Sequence, residues 1–126
     1  MAEALLRHRL NSGVEICSAG IAALVNHPAD PLAQLVAGEH GFDIVTHRAQ
    51  QASQSLLSAA DLILTLDHTH SEWIRLRYPQ LQGRTHKLGR WLQNIDISDP
   101  YRLPKPAFDQ AFEDIERCTA EWIKRI

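Results

Sequence analysis

Apolar runs of strand length alternate along this chain with segments of helical period, and that alternation predicts an α/β domain with a parallel sheet and right-handed crossovers. Two stretches carry most of the prediction. Residues 62–66 form an apolar run bounded by Asp61 and Asp67, as expected of a strand covered on both faces. Phe108, Phe112, Ile115, Thr119, Trp122 and Ile126 recur at helical steps and define one core-facing stripe. At 126 residues the chain fits one domain, 1–126, able to bury roughly two thirds of its unfolded surface.

The remaining elements follow in order. Residues 2–10 are rich in Ala, Leu, Glu and Arg, with Leu5, Leu6 and Arg9 near one face, and Asn11, Ser12 and Gly13 read as a helix stop. Residues 14–18 read as a short buried strand and lead into a loop through Asn26 and Pro28. Asp30 and Pro31 suit the N-cap and first turn of a second helix, with Leu32, Leu35, Val36 and Glu39 at helical spacing and Gly41 at its C-terminal end. Ile44 and Val45 suggest an edge strand, and residues 53–60 a short helix. A helix over 68–77 stops before Pro79, residues 85–88 give a last strand, and residues 94–106 form a loop whose turns are set by Asp99, Pro100, Pro104 and Pro106.

Composition excludes several classes. The 13 Lys and Arg are nearly balanced by 15 Asp and Glu, and the clustered Arg75, Arg77, Arg84, Lys87 and Arg90 read as a solvated face, so nucleic acid is not an expected partner. The longest apolar stretches are too short to cross a bilayer, and no signal peptide opens the chain. Two cysteines make no disulfide framework; Cys17 and Cys118 read as buried small apolar residues, and a reducing cytoplasm is the expected setting. Among the seven histidines, His68 and His70 stand two apart on a helix and face different ways, so neither a metal nor another cofactor is expected.

The segments Ser18-Ala19-Gly20-Ile21, Pro28-Ala29-Asp30-Pro31-Leu32-Ala33, His47-Arg48-Ala49-Gln50 and Asp99-Pro100-Tyr101-Arg102, in this order and spacing, resemble the low-molecular-weight protein tyrosine phosphatases, in particular the bacterial branch associated with capsule and exopolysaccharide tyrosine kinases. The resemblance spans essentially the whole chain. It implies a three-layer sandwich with helices on both faces of a small parallel sheet. It also implies hydrolysis of phosphotyrosine through a phosphocysteine intermediate, in which a cysteine thiolate held by backbone N–H groups attacks phosphorus.

On this resemblance Asp99 is the general acid, Tyr101 and Leu24 are opposite walls of the phosphotyrosine slot, and Ser18 and His47 support the phosphate loop from behind. Asp67 matches an acidic position near the loop arginine. Each has a plainer alternative: Asp99 as a turn former, Leu24 as core, His47 as a surface residue and Asp67 as the N-cap of the following helix. The phosphate loop itself, of the form C-x5-R, is not in the chain. Cys17 is followed at the arginine spacing by Ala23, and Cys118 by Lys124.

Met1 then falls on a position internal to the family pattern, and the expectation is an N-terminally truncated chain, lacking a central first strand of about five or six residues together with its loop. A start codon assigned too late or a truncation is preferred over a degenerate paralogue, since the surviving motifs show no decay. Such a chain is expected to be inactive by itself. Its flanking strands, 14–18 and 62–66, are expected to close on each other, or else a homodimer fills the slot. The rivals are a non-catalytic, self-associating interaction protein and a thiol-dependent arsenate reductase, the latter wanting relay cysteines that this pattern does not suggest.

Overall fold

The structure, a computed structural model, describes residues 1–10 and 12–126. Eight elements follow one another: α1 (Ala2–Arg9), α2 (Pro31–Glu39), α3 (Gln54–Ser58), β1 (Ile63–Thr65), α4 (His68–Arg77), a 3-10 segment (Pro79–Arg84), β2 (Thr85–Lys87) and α5 (Lys105–Ile123). Asn11, part of the expected helix stop, lies outside the described residues. The helix starts obey local chemistry. Asp30 accepts from the backbone of Leu32, Ser53 from that of Leu56, and Asp67 from those of Thr69 and His70, so α2, α3 and α4 each open on a side-chain cap. Gly41 closes α2 with a φ of +86°, a conformation that glycine adopts without strain.

The sheet is parallel, as expected, and consists of β1 and β2 in the register Ile63–Thr85, Leu64–His86 and Thr65–Lys87. Alternation along β1 gives it two faces. Ile63 joins Ala52, Leu57, Ile74 and Leu81 beneath α3, α4 and the 3-10 segment. Leu62, Leu64 and Leu66 pack on the opposite cluster of Leu5, Val36, Leu88, Ile97, Phe108, Phe112, Ile115, Cys118 and Trp122, which α1, α2 and α5 cover. Helices therefore lie on both faces of a small parallel sheet. The Trp122 indole N–H donates to the Leu88 carbonyl at 2.8 Å and ties the end of β2 to α5.

Several expectations need correction. Residues 14–18 are not a buried strand: among the described residues no ladder joins them to β1, Val14 and Cys17 are exposed, and the expected closure onto 62–66 does not occur. An extended segment without a neighbouring ladder has nothing to satisfy its amides but water and side chains. One such side chain is present, since Arg7 donates to the Ile16 carbonyl at 3.0 Å. Ile44 and Val45 form a turn instead of an edge strand, because the Asp43 carboxylate accepts from Val45 N at 2.9 Å. Ile126 lies beyond the end of α5 and is exposed, as is Leu35 on α2. Arg84 is no solvated side chain; its guanidinium donates to the Ser58 and Ala60 carbonyls at the end of α3.

Candidate active site

The loops that carry Ser18, Leu24 and His47 are fastened to each other along their length. Gly20 N donates to Gln50 O, Ala52 N to Gly20 O, Asn26 N to Ala49 O and Ala49 N to His27 O, all between 2.8 and 2.9 Å. The Gln51 amide adds bonds to Ala23 N and Ile21 O at 3.0 and 2.9 Å, and Gln50 reaches the Ser18 carbonyl at 2.9 Å. Asn26 completes the bend with a φ of +67°, the left-handed region that asparagine tolerates better than most residues.

This stitching brings Ser18 and His47 to the same side chain, Glu3 of α1. The Ser18 hydroxyl donates to Glu3 Oε1 at 2.9 Å, and His47 Nδ1 stands 3.9 Å from Glu3 Oε2. Arg7, one helical turn on, stands 3.5 Å from the same Oε2. Sequence reading missed Glu3. Its only local signal is the Glu3–Arg7 spacing, which is the ordinary ion-pair spacing of a helix surface.

Asp99 sits in a turn, its carboxylate accepting from Tyr101 N at 3.0 Å. It shares a pocket of about 210 Å³ with Pro100, Tyr101, Asp30, Ala33, Phe108 and Met1. The Tyr101 ring is exposed, with the Arg102 guanidinium carbon 5.2 Å from its centroid. Leu24 is 57 % exposed, so it is not a core residue, but it does not line the Asp99 pocket. Asp67 caps α4, accepting from Thr69 N, Thr69 Oγ1 and His70 N. Its burial raises the carboxyl pKa, and the hydrogen bonds from Thr69 and His70 outweigh that and leave it below the usual range.

The two cysteines differ from each other. Cys118 is fully buried on α5 and burial pushes its thiol up, as expected of an inert apolar residue; Cys17 is exposed, against expectation, in a segment that joins no strand ladder among the described residues. Among the described residues no group of His, Cys, Asp and Glu is placed to hold a metal ion, and no helix is long and apolar enough to cross a membrane.

Helices on both faces of a small parallel sheet define an α/β sandwich domain, and Asp99 and Tyr101 share one pocket on it. The chain belongs to the low molecular weight phosphotyrosine protein phosphatase family, which it matches over residues 1–126. It is 48 % identical over 126 residues to the probable low molecular weight protein-tyrosine-phosphatase EpsP of Ralstonia nicotianae, covering 100 % of this chain and 86 % of that protein. It is 38 % identical over 124 residues to the phosphatase Etp of Escherichia coli K12, covering 98 % and 83 % of the two chains. Among solved structures it is similar to Vibrio vulnificus Wzb in complex with benzylphosphonate, with a TM-score of 0.94, 36 % identity, and coverage of 99 % of this chain and 88 % of that one.

Proposed function

We propose that these residues supply the acid, the slot walls and the loop support of a phosphotyrosine hydrolase, and that turnover requires a C-x5-R-[ST]-P loop in addition to them. The observation that carries the reading is the shared pocket of Asp99 and Tyr101, a proton donor beside an aromatic wall. Ser18 and His47 meeting at Glu3 lend support, since two residues expected to brace the loop converge on one point.

In this mechanism the loop thiolate attacks phosphorus, the phosphorus–tyrosyl oxygen bond breaks, and Asp99 gives its proton to the leaving oxygen. The Asp99 carboxylate then takes a proton from water, whose oxygen attacks the phosphocysteine, releasing phosphate and restoring the thiolate. Tyr101 and Leu24 flank the aryl ring, and Asp67 stands by the loop arginine. No cofactor enters either step. The substrate is a phosphotyrosine protein, a bacterial tyrosine kinase of polysaccharide export being the favoured partner, and the cytoplasm, where thiols stay reduced, is the proposed setting. The edge of β1 away from β2, which pairs with no strand among the described residues, is where an additional strand or a second copy of the chain would dock.

An aryl phosphate assay tests the reading. The 126-residue chain alone is expected to show no turnover, and the same chain joined to a strand and C-x5-R-[ST]-P loop is expected to hydrolyse the ester. Asp99→Asn in the joined form should lower kcat about 10²- to 10⁴-fold. Turnover by the unjoined chain, or its absence from a folded joined form, overturns the proposal. The latter result would favour a self-associating, non-catalytic protein, which a solution mass of two chains would support.

A further inference from the structure

A second cavity shares no lining residue with the Asp99 pocket. It is a groove of about 580 Å³ between α4 and the stretch from β2 to Asn94, lined by His68, Glu72 and Arg75 on one side and by His86, Lys87 and Arg90 on the other. Its charges are arranged unevenly. Arg75 is held by Glu72 through a two-point ion pair. Lys87, only 14 % exposed, donates to Asp96 Oδ1 at 2.7 Å, and the other oxygen of Asp96 meets His68 Nδ1 at 2.6 Å. Arg90 has no carboxylate partner among the described residues; its guanidinium is turned to the His86 ring and lies 4.8 Å from the centroid of Trp91. Glu72 and Asp96 thus compensate two of the three fixed cations, and the third faces the groove in a chain whose formal charge is −2.

We propose that this groove docks an acidic segment of the phosphotyrosine protein, a carboxylate of that segment pairing with Arg90. Three observations favour this occupant. The volume holds several side chains and far exceeds one oxyanion. The chain carries a formal charge of −2, which disfavours a long polyanion such as nucleic acid over a short acidic segment. Asp96, bonded to Lys87 and His68 of the lining, leaves Arg90 as the lining cation with which a guest carboxylate can pair. The identity of the occupant rests on the phosphatase reading; the acidic specificity does not.

The test is a fluorescence anisotropy titration of the 126-residue chain with a labelled octaglutamate peptide at about 50 mM salt, where screening is weak. Octaglutamine, inorganic phosphate and the variants R90E, E72Q and R117E serve as comparisons. Binding of octaglutamate but not octaglutamine is expected, weakened about tenfold by R90E and tightened about threefold by E72Q, with R117E, outside the groove's lining, having no effect. A tighter complex in E72Q cannot arise from misfolding. Equal affinity for octaglutamine, equal losses in R90E and R117E, or phosphate displacing the peptide at comparable concentration would each overturn the proposal, the last by marking a small-anion site. Because octaglutamate carries no phosphotyrosine, a negative result leaves the hydrolytic reading untouched, and a failure of hydrolysis leaves this binding result standing.

Discussion

Replacing Trp122 with phenylalanine isolates the link between α5 and the sheet. Trp122 is 6 % exposed, its indole N–H is bonded to the Leu88 carbonyl, and its ring meets Trp91 edge-on at 5.5 Å. Phenylalanine keeps an aromatic ring but removes the donor, leaving the carbonyl of a residue that is itself 2 % exposed without its partner, at a cost of about 1 to 3 kcal/mol. The smaller ring leaves unfilled space worth about 1 kcal/mol, and a weaker pair with Trp91 adds a few tenths. The sum, about 2 to 4 kcal/mol, is a large share of the roughly 5 to 15 kcal/mol that stabilises a typical domain. Urea unfolding followed by far-ultraviolet circular dichroism should show the loss without a change in the denaturant slope. Dichroism is preferred because three tryptophans overlap in emission. A loss below about 0.5 kcal/mol would show that water or backbone relaxation satisfies the carbonyl, and the argument would fail.

Other expectations follow from single features. Thr119 Oγ1 is buried on α5 with no hydrogen-bond partner among the described residues, so Thr119→Val should be neutral or stabilising by about 1 kcal/mol in the same urea assay. Hydrogen bonds from Lys87 and then His68 hold the Asp96 carboxyl at about 2, below its ordinary value of 3.8. A depressed acid stabilises the fold above its unfolded pKa and loses that contribution as pH falls through the folded value. The wild-type chain should therefore lose stability between about pH 4 and 2, and Asp96→Asn should flatten that part of the curve. Thiol titration with an aromatic disulfide should detect Cys17 in the native protein and Cys118 only after unfolding, as exposure dictates. A Cβ on Gly89 would stand 2.3 Å from the Ile95 carbonyl oxygen, so Gly89→Ala should lower the thermal midpoint, with a cost of about 1 to 3 kcal/mol.

Elements whose signals are local were legible in the sequence. The Asp67 cap and Pro79 bracket α4, and the stripe from Phe108 to Trp122 faces the core throughout α5. Strands were less legible because pairing is not a local property. Residues 14–18 carry a suitable apolar composition, but a strand exists only where a neighbour accepts its hydrogen bonds, and among the described residues β1 is paired with β2 alone. The site divides in the same way. Motif order marked Asp99, Tyr101, Ser18 and His47, whereas Glu3 emerged only from three-dimensional contact, its sequence surroundings being those of any helical ion pair. The groove beside β2 was legible only as a scatter of basic residues, since nothing in their spacing tells which ones a carboxylate already holds.

The stitched loops around Leu24 have a consequence for how ligands are told apart. Main-chain and glutamine bonds close residues 20–28 onto 48–52, so a guest at that rim would meet a mould instead of a hand that folds around it. Any ligand that meets this rim should accordingly be selected by shape and size, with little adaptation to forgive a poor fit.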